Sequence, residues 1–124
     1  MNVKIDTKEK FTVITPEDAQ LTVNMTEEIK ILLLSYLQKD IKNIILKMGA
    51  VEKIDEAAAE TIALVQQQFY ENSSSFVICE LQNQVEENLD KQEILELMNV
   101  TPTESEAWDI VQMEEIEREL LGDE

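Results

Sequence analysis

A chain of 124 residues has room for one hydrophobic core, and at 44% hydrophobic residues it is a folding sequence rather than a disordered acidic tail. Its net charge of -17 lies entirely in residues 51–124, where 20 acids stand against Lys53, Lys91 and Arg118; residues 1–50 balance seven lysines with seven acids. Such a surface repels phosphate backbones and anionic lipid, which argues against nucleic-acid binding and direct membrane binding. It either speeds encounter with a basic partner or simply keeps the chain soluble.

The longest apolar runs, such as Ile31 to Leu34, fall far short of the roughly 18 residues of a membrane span. The alternating start Met1-Asn2-Val3-Lys4-Ile5-Asp6 does not read as a signal peptide. A lone cysteine, Cys79, has no internal disulfide partner, in keeping with a cytoplasmic location.

In chain order, Val3, Ile5 and Thr7 alternate with polar residues, Lys8-Glu9-Lys10 turns, and Phe11-Thr12-Val13-Ile14 returns, which predicts a hairpin. Asn24 reads as a helix cap with Glu27 as its capping-box partner, and Ile29, Leu32, Leu33, Tyr36 and Leu37 form one helical stripe. Ile41 to Met48 is apolar and β-branched enough for an interior strand. After Gly49 and a short link, an Ala-rich helix begins at Asp55 and turns Ala58, Ile62, Val65 and Phe69 to one face. Asn72-Ser73-Ser74 ends it. Ser75 to Cys79 predicts the next strand, with Cys79 as a small core residue.

Residues 82–92 support only a short, exposed helix, and Ile94 to Val100 reads as a short strand. Thr101-Pro102-Thr103-Glu104 places a cap, a proline at the first helical position and a capping-box acid. Ala107, Trp108, Ile110, Val111, Ile116, Leu120 and Leu121 continue as an amphipathic helix over 102–121, with Trp108 against the sheet and Met113 peripheral. At about 1.5 Å per residue that helix is long for so small a domain, so its last turns overhang or meet a partner. Strands separated by helices imply an α/β fold with a central mixed, largely parallel sheet of four to five strands and about four helices. One domain is expected over residues 1–124.

This order resembles the STAS domain, the fold of bacterial anti-sigma-factor antagonists, along essentially the whole chain. Three stretches carry the likeness. Ile41 to Asp55 looks like the strand leading to the family's Asp-Ser-x-Gly signature. Phe76-Val77-Ile78-Cys79 takes the place of the following strand, and Thr101-Pro102-Thr103-Glu104-Ser105-Glu106-Ala107 is similar to a Pro-Thr-x-x-Glu-Ala helix opening.

The resemblance implies a domain that binds a kinase-like anti-sigma factor, with transcription regulated by phosphorylation of a hydroxyl at the helix tip. Here the signature reads Asp55-Glu56-Ala57-Ala58, so Glu56 stands where that hydroxyl would be. The usual phosphorylation cannot be carried over. Glu56 is a phosphoserine mimic, a remnant on a domain that binds through another face, or an acid favourable to the helix dipole. The expected partner surface is the tip and the link before it: Val51, Glu52, Lys53, Ile54, Asp55, Glu56, Ala57, Ala58 and Ala59.

Little chemistry competes with binding. The chain has no histidine and two glycines, Gly49 and Gly122, so it lacks the commonest base and metal ligand and any phosphate-binding loop. Glu114, Glu115 and Glu117 lack calcium-loop spacing, and no Asp-Ser-Leu acyl-carrier site is present. The expectation is a protein that is not an enzyme and uses no cofactor and no metal, with its oligomeric state open. The alternative is a scaffold subunit of a signalling or transporter-associated assembly, docked through the acidic residues 114–124.

Overall fold

The computed structural model describes residues 1–121. Strands β1 (Val3–Thr7) and β2 (Thr12–Pro16) form the expected antiparallel hairpin, with Ile5 opposite Ile14. A two-residue strand, β3 (Gln20–Leu21), precedes a 3-10 turn at Val23–Met25 and helix α1 (Thr26–Ser35), which tightens into a second 3-10 turn at Tyr36–Gln38. Then come β4 (Ile44–Lys47), the two-residue β5 (Lys53–Ile54), α2 (Glu56–Glu71), β6 (Phe76–Cys79), α3 (Asn83–Lys91), a 3-10 turn at Leu95–Leu97, β7 (Val100–Thr101) and α4 (Glu104–Leu120).

The main sheet has five strands in the order β1-β2-β4-β6-β7, parallel from β2 onward. With four α-helices among the described residues, this is the mixed, largely parallel α/β architecture that the sequence predicts.

Strand alternation divides the core in two. Ile14, Ile44, Leu46, Phe76 and Ile78 point to the face covered by α1, α2 and α3, where Ile29, Leu33, Ala58, Ile62, Val65, Phe69, Val85 and Leu89 are buried against them. Val13, Ile45, Val77 and Cys79 point to the other face, covered by α4 through Ala107 and Val111. Trp108 closes that smaller core by stacking on Phe11, with ring centroids 4.6 Å apart. α2 is long because Ala57, Ala58 and Ala59 favour helix and its apolar stripe keeps a period of three to four. Asn72 ends it by donating to the Gln68 carbonyl at 2.7 Å, and Ser73 reverses the chain at φ 58°.

Three local expectations are corrected. Asn24 does not cap α1: it lies within the 3-10 turn, where the Met25 N–H donates to the Thr22 carbonyl at 2.9 Å, and the helix starts at Thr26 with no side-chain cap. The strand expected over Ile94 to Val100 is instead interrupted by the 3-10 turn at Leu95–Leu97, and only Val100 and Thr101 pair, with Ile78 and Cys79. The Gln66 side chain satisfies the backbone before β7. Its amide accepts the Asn99 N–H at 3.1 Å and donates to the Phe76 carbonyl at 2.9 Å.

The last helix is capped by Thr103, not Thr101, so Pro102 precedes the cap instead of opening the helix. Thr101 is held in β7, and its hydroxyl donates to the Thr103 carbonyl at 2.9 Å. Thr103 Oγ1 accepts the Glu106 N–H at 3.1 Å, which makes Glu106 the capping-box acid.

Candidate functional site

Parallel strands deliver the start of the following helix to one edge of the sheet, and α2 begins there after a turn and the β5 link. The Val51 N–H closes the turn on the Met48 carbonyl at 3.0 Å, and Gln82 Nε2 donates to the Gly49 carbonyl at 2.8 Å. The N–H groups of Glu52 and Lys53 both donate to the Ala19 carbonyl, at 2.7 and 3.1 Å, and the Asp55 N–H donates to the Leu21 carbonyl at 2.9 Å. These bonds form the small parallel pair β3–β5 and lock the link against the segment after β2.

Asp55 occupies the cap position in extended geometry, φ -70° and ψ 154°, but its carboxylate does not cap its own helix. Instead, Asp55 Oδ2 accepts the Val23 N–H at 2.9 Å and fastens the turn before α1 to the tip of α2. Glu56 is the first residue of α2. Its side chain is exposed and makes no hydrogen bond or ion pair with other described residues. A carboxylate there gains about 0.3–1 kcal/mol from the helix dipole.

Of the nine residues expected at this surface, Glu52, Lys53, Asp55 and Glu56 are exposed and Ala57 is half-buried. Val51, Ile54, Ala58 and Ala59 face the core and support the surface from beneath. Val23, 54% exposed beside Asp55, belongs to the same surface. Sequence reasoning missed it because nothing in Thr22-Val23-Asn24 signals a contact with residue 55.

An ion-pair cluster holds the neighbouring part of the same edge. Lys47, at the end of β4, lies 3.2 Å from Glu104 and 3.8 Å from Glu80. The hydrogen bond to Glu104, with the charge of Glu80, raises the Lys47 pKa. Glu80 has φ 61°, and a side chain on Gly49 would bring its Cβ within 2.9 Å of Glu80 Oε1. Glycine at 49 therefore leaves room for the Glu80 carboxylate.

A cavity of about 410 Å³ lies beside α3 and β7, lined by residues including Leu81, Glu86, Met98 and Thr101, with one carboxylate and no convergence of titratable groups. Among the described residues there is no group of three or more His, Cys, Asp or Glu able to hold a metal, and no helix is long and apolar enough to cross a membrane. Cys79 is fully buried, and burial pushes its thiol up to about 12, so it is held as the unreactive thiol. The arrangement presents a charged helix tip on a fixed backbone.

No curated protein matches the chain. Among solved structures, a Thermotoga maritima protein named as an anti-sigma factor antagonist superposes with a TM-score of 0.77 at 19% identity, covering 89% of this chain and 94% of that one. An anti-sigma-factor antagonist (STAS) domain protein from Planctomyces limnophilus gives 0.74 at 19% identity, covering 89% and 97%. The murine solute carrier 26 family member A9 anion transporter gives 0.70 at 15% identity, covering 84% of this chain but 18% of the transporter. At these identities the likeness is one of fold. The STAS domain family model matches residues 2–107, most of the sequence, and the chain therefore belongs to the STAS domain family.

Proposed function

We propose that this STAS domain is a non-enzymatic, cytoplasmic protein-interaction module of the anti-sigma-factor-antagonist type. It docks a kinase-like anti-sigma factor through the tip of α2 and is not controlled by phosphorylation at the usual position. The observation that carries this is Glu56, an exposed carboxylate at the first position of α2, next to an Asp55 engaged with Val23. A permanent single charge stands where relatives alternate between a hydroxyl and a phosphate of nearly two charges. The partner then meets one fixed surface: Glu52, Lys53, Asp55, Glu56, Ala57 and Val23.

Affinity capture from the native cytoplasm tests this. The wild-type chain should retain a kinase-like protein, and Glu56→Lys should weaken the complex. Glu56→Ser should supply a hydroxyl that the partner phosphorylates from ATP, after which the complex dissociates. Recovery of no kinase-like protein, together with no effect of Glu56→Ser, would remove the reading.

A second reading, a subunit of a larger signalling or transporter-associated assembly, is favoured by the exposed apolar residues near the end of α4. The docking element expected over 114–124 needs redrawing, since Glu114 and Glu115 are bonded to the body of the domain. Residues 122–124 lie outside the described residues.

A further inference from the structure

The C-terminal half of α4 is turned over relative to an ordinary amphipathic helix. Its inward line begins with the buried Ala107 and Val111 and continues with Glu114, Glu115 and Arg118, all half-buried. Glu114 accepts the Ser75 hydroxyl at 2.6 Å and the Asn99 amide at 3.3 Å, while Glu115 accepts the Asn43 amide at 2.7 Å. Arg118 donates to Ser75 Oγ at 3.2 Å, so the one basic residue of the helix is also engaged with the body of the domain.

The large apolar residues of the same turns face solvent: Met113 is 59% exposed, Ile116 54% and Leu120 79%. Spaced by three and four residues, they form one stripe on the outer face. Asp109 continues it toward the helix start, and the exposed Glu117 and Glu119 lie to either side. Interface composition, an apolar centre with a charged rim, is thus displayed on a helix held rigidly from beneath. This face also lies beyond residue 107, where the match to the family ends.

We infer that the outer face of α4 from Asp109 to Leu120 is a docking surface for a basic amphipathic helix of a partner protein. Charge selects the occupant. Residues 51–124 carry the whole net charge of -17, so lysines or arginines flanking an apolar stripe complement Asp109, Glu117 and Glu119. A second copy docked through the same face would set these acids against their own counterparts. The inference rests on the assembly reading and is independent of the α2 tip.

The probe is a fluorescent synthetic lysine–leucine helical peptide, with a glutamate–leucine peptide of the same pattern as control, titrated with the full chain. The lysine–leucine peptide should bind, and the triple change Met113→Ser, Ile116→Ser and Leu120→Ser should weaken it by about tenfold or more, as for a hot-spot cluster. Asp109→Asn with Glu117→Gln should weaken it as well, and Glu56→Lys should leave it unchanged.

Equal binding by wild type and the triple variant would overturn the inference, since general attraction to an acidic chain would then explain it. So would equal binding of the glutamate–leucine peptide, or a wild-type dimer that the triple change dissolves. If the triple change releases the chain from its native assembly while neither peptide binds, the assembly reading stands and the basic-helix inference falls.

Discussion

Two helices, α2 and α4, begin at the same edge of the sheet and are finished in opposite ways. The start of α4 is closed on itself: Thr103 accepts the Glu106 N–H, and Lys47 ties Glu104 down at 3.2 Å. The start of α2 is left open, because Asp55 uses its carboxylate on Val23 and Glu56 faces solvent. A self-capped end has spent its hydrogen-bonding capacity on stability. An end without a side-chain cap keeps backbone N–H groups for water or for a partner. The contrast separates a helix start closed by its own side chains from one left without a side-chain cap.

The strongest way to break the comparison is to unseat α2. Phe69 is fully buried and meets Phe76 edge-on at 5.3 Å, so Phe69→Ala should cost about 3–5 kcal/mol in urea unfolding and lower partner capture and peptide binding together.

An alkaline titration acts on the opposite face. Folded Cys79 keeps its proton up to about 12, whereas the unfolded thiol releases it near 9.0. Between those values the unfolded state binds fewer protons. Stability therefore falls as pH rises, by roughly 1 kcal/mol per pH unit from this group. Burial of Tyr36 and the Glu104 bond to Lys47 raise those pKa values as well, so both groups add to the fall. Stability curves of wild type and Cys79→Ala should converge above pH 9, and parallel curves would refute this assignment.

The two helix starts can then be compared directly. Thr103→Ala should lose about 1 kcal/mol of stability, as for other cap removals, and leave partner capture intact. Asp55→Ala should lose about 1 kcal/mol or less, since its bond to Val23 is exposed, yet weaken capture markedly. The smallest stability change belongs to Glu56→Gln, within about 1 kcal/mol, with its effect confined to binding.

Much of this was legible in the sequence because the long elements advertise their period. The stripe Ala58, Ile62, Val65 and Phe69 is buried throughout, and strands of four or five residues show their alternation in the division of the core. What was illegible was short or degenerate. β3 and β5 are two residues each, too brief for any pattern, yet they fix the link to α2. Thr101 and Thr103 each stand three residues before an acid, Glu104 and Glu106, so two caps were equally written; the pairing of Thr101 with Cys79 decides between them. The burial of Val51 and Ile54 also follows from a tertiary contact, the docking of the link on residues 19–21, which leaves no local signature.

One face of the sheet is roofed by three helices and the other by α4 alone, with Cys79 directly beneath it. The single thiol is therefore a built-in gauge of whether that roof is seated. In a large excess of alkylating reagent, the labelling rate of Cys79 becomes the lifting rate of the helix. A partner that clamps α4 then makes itself known by slowing a reaction at an atom it never touches.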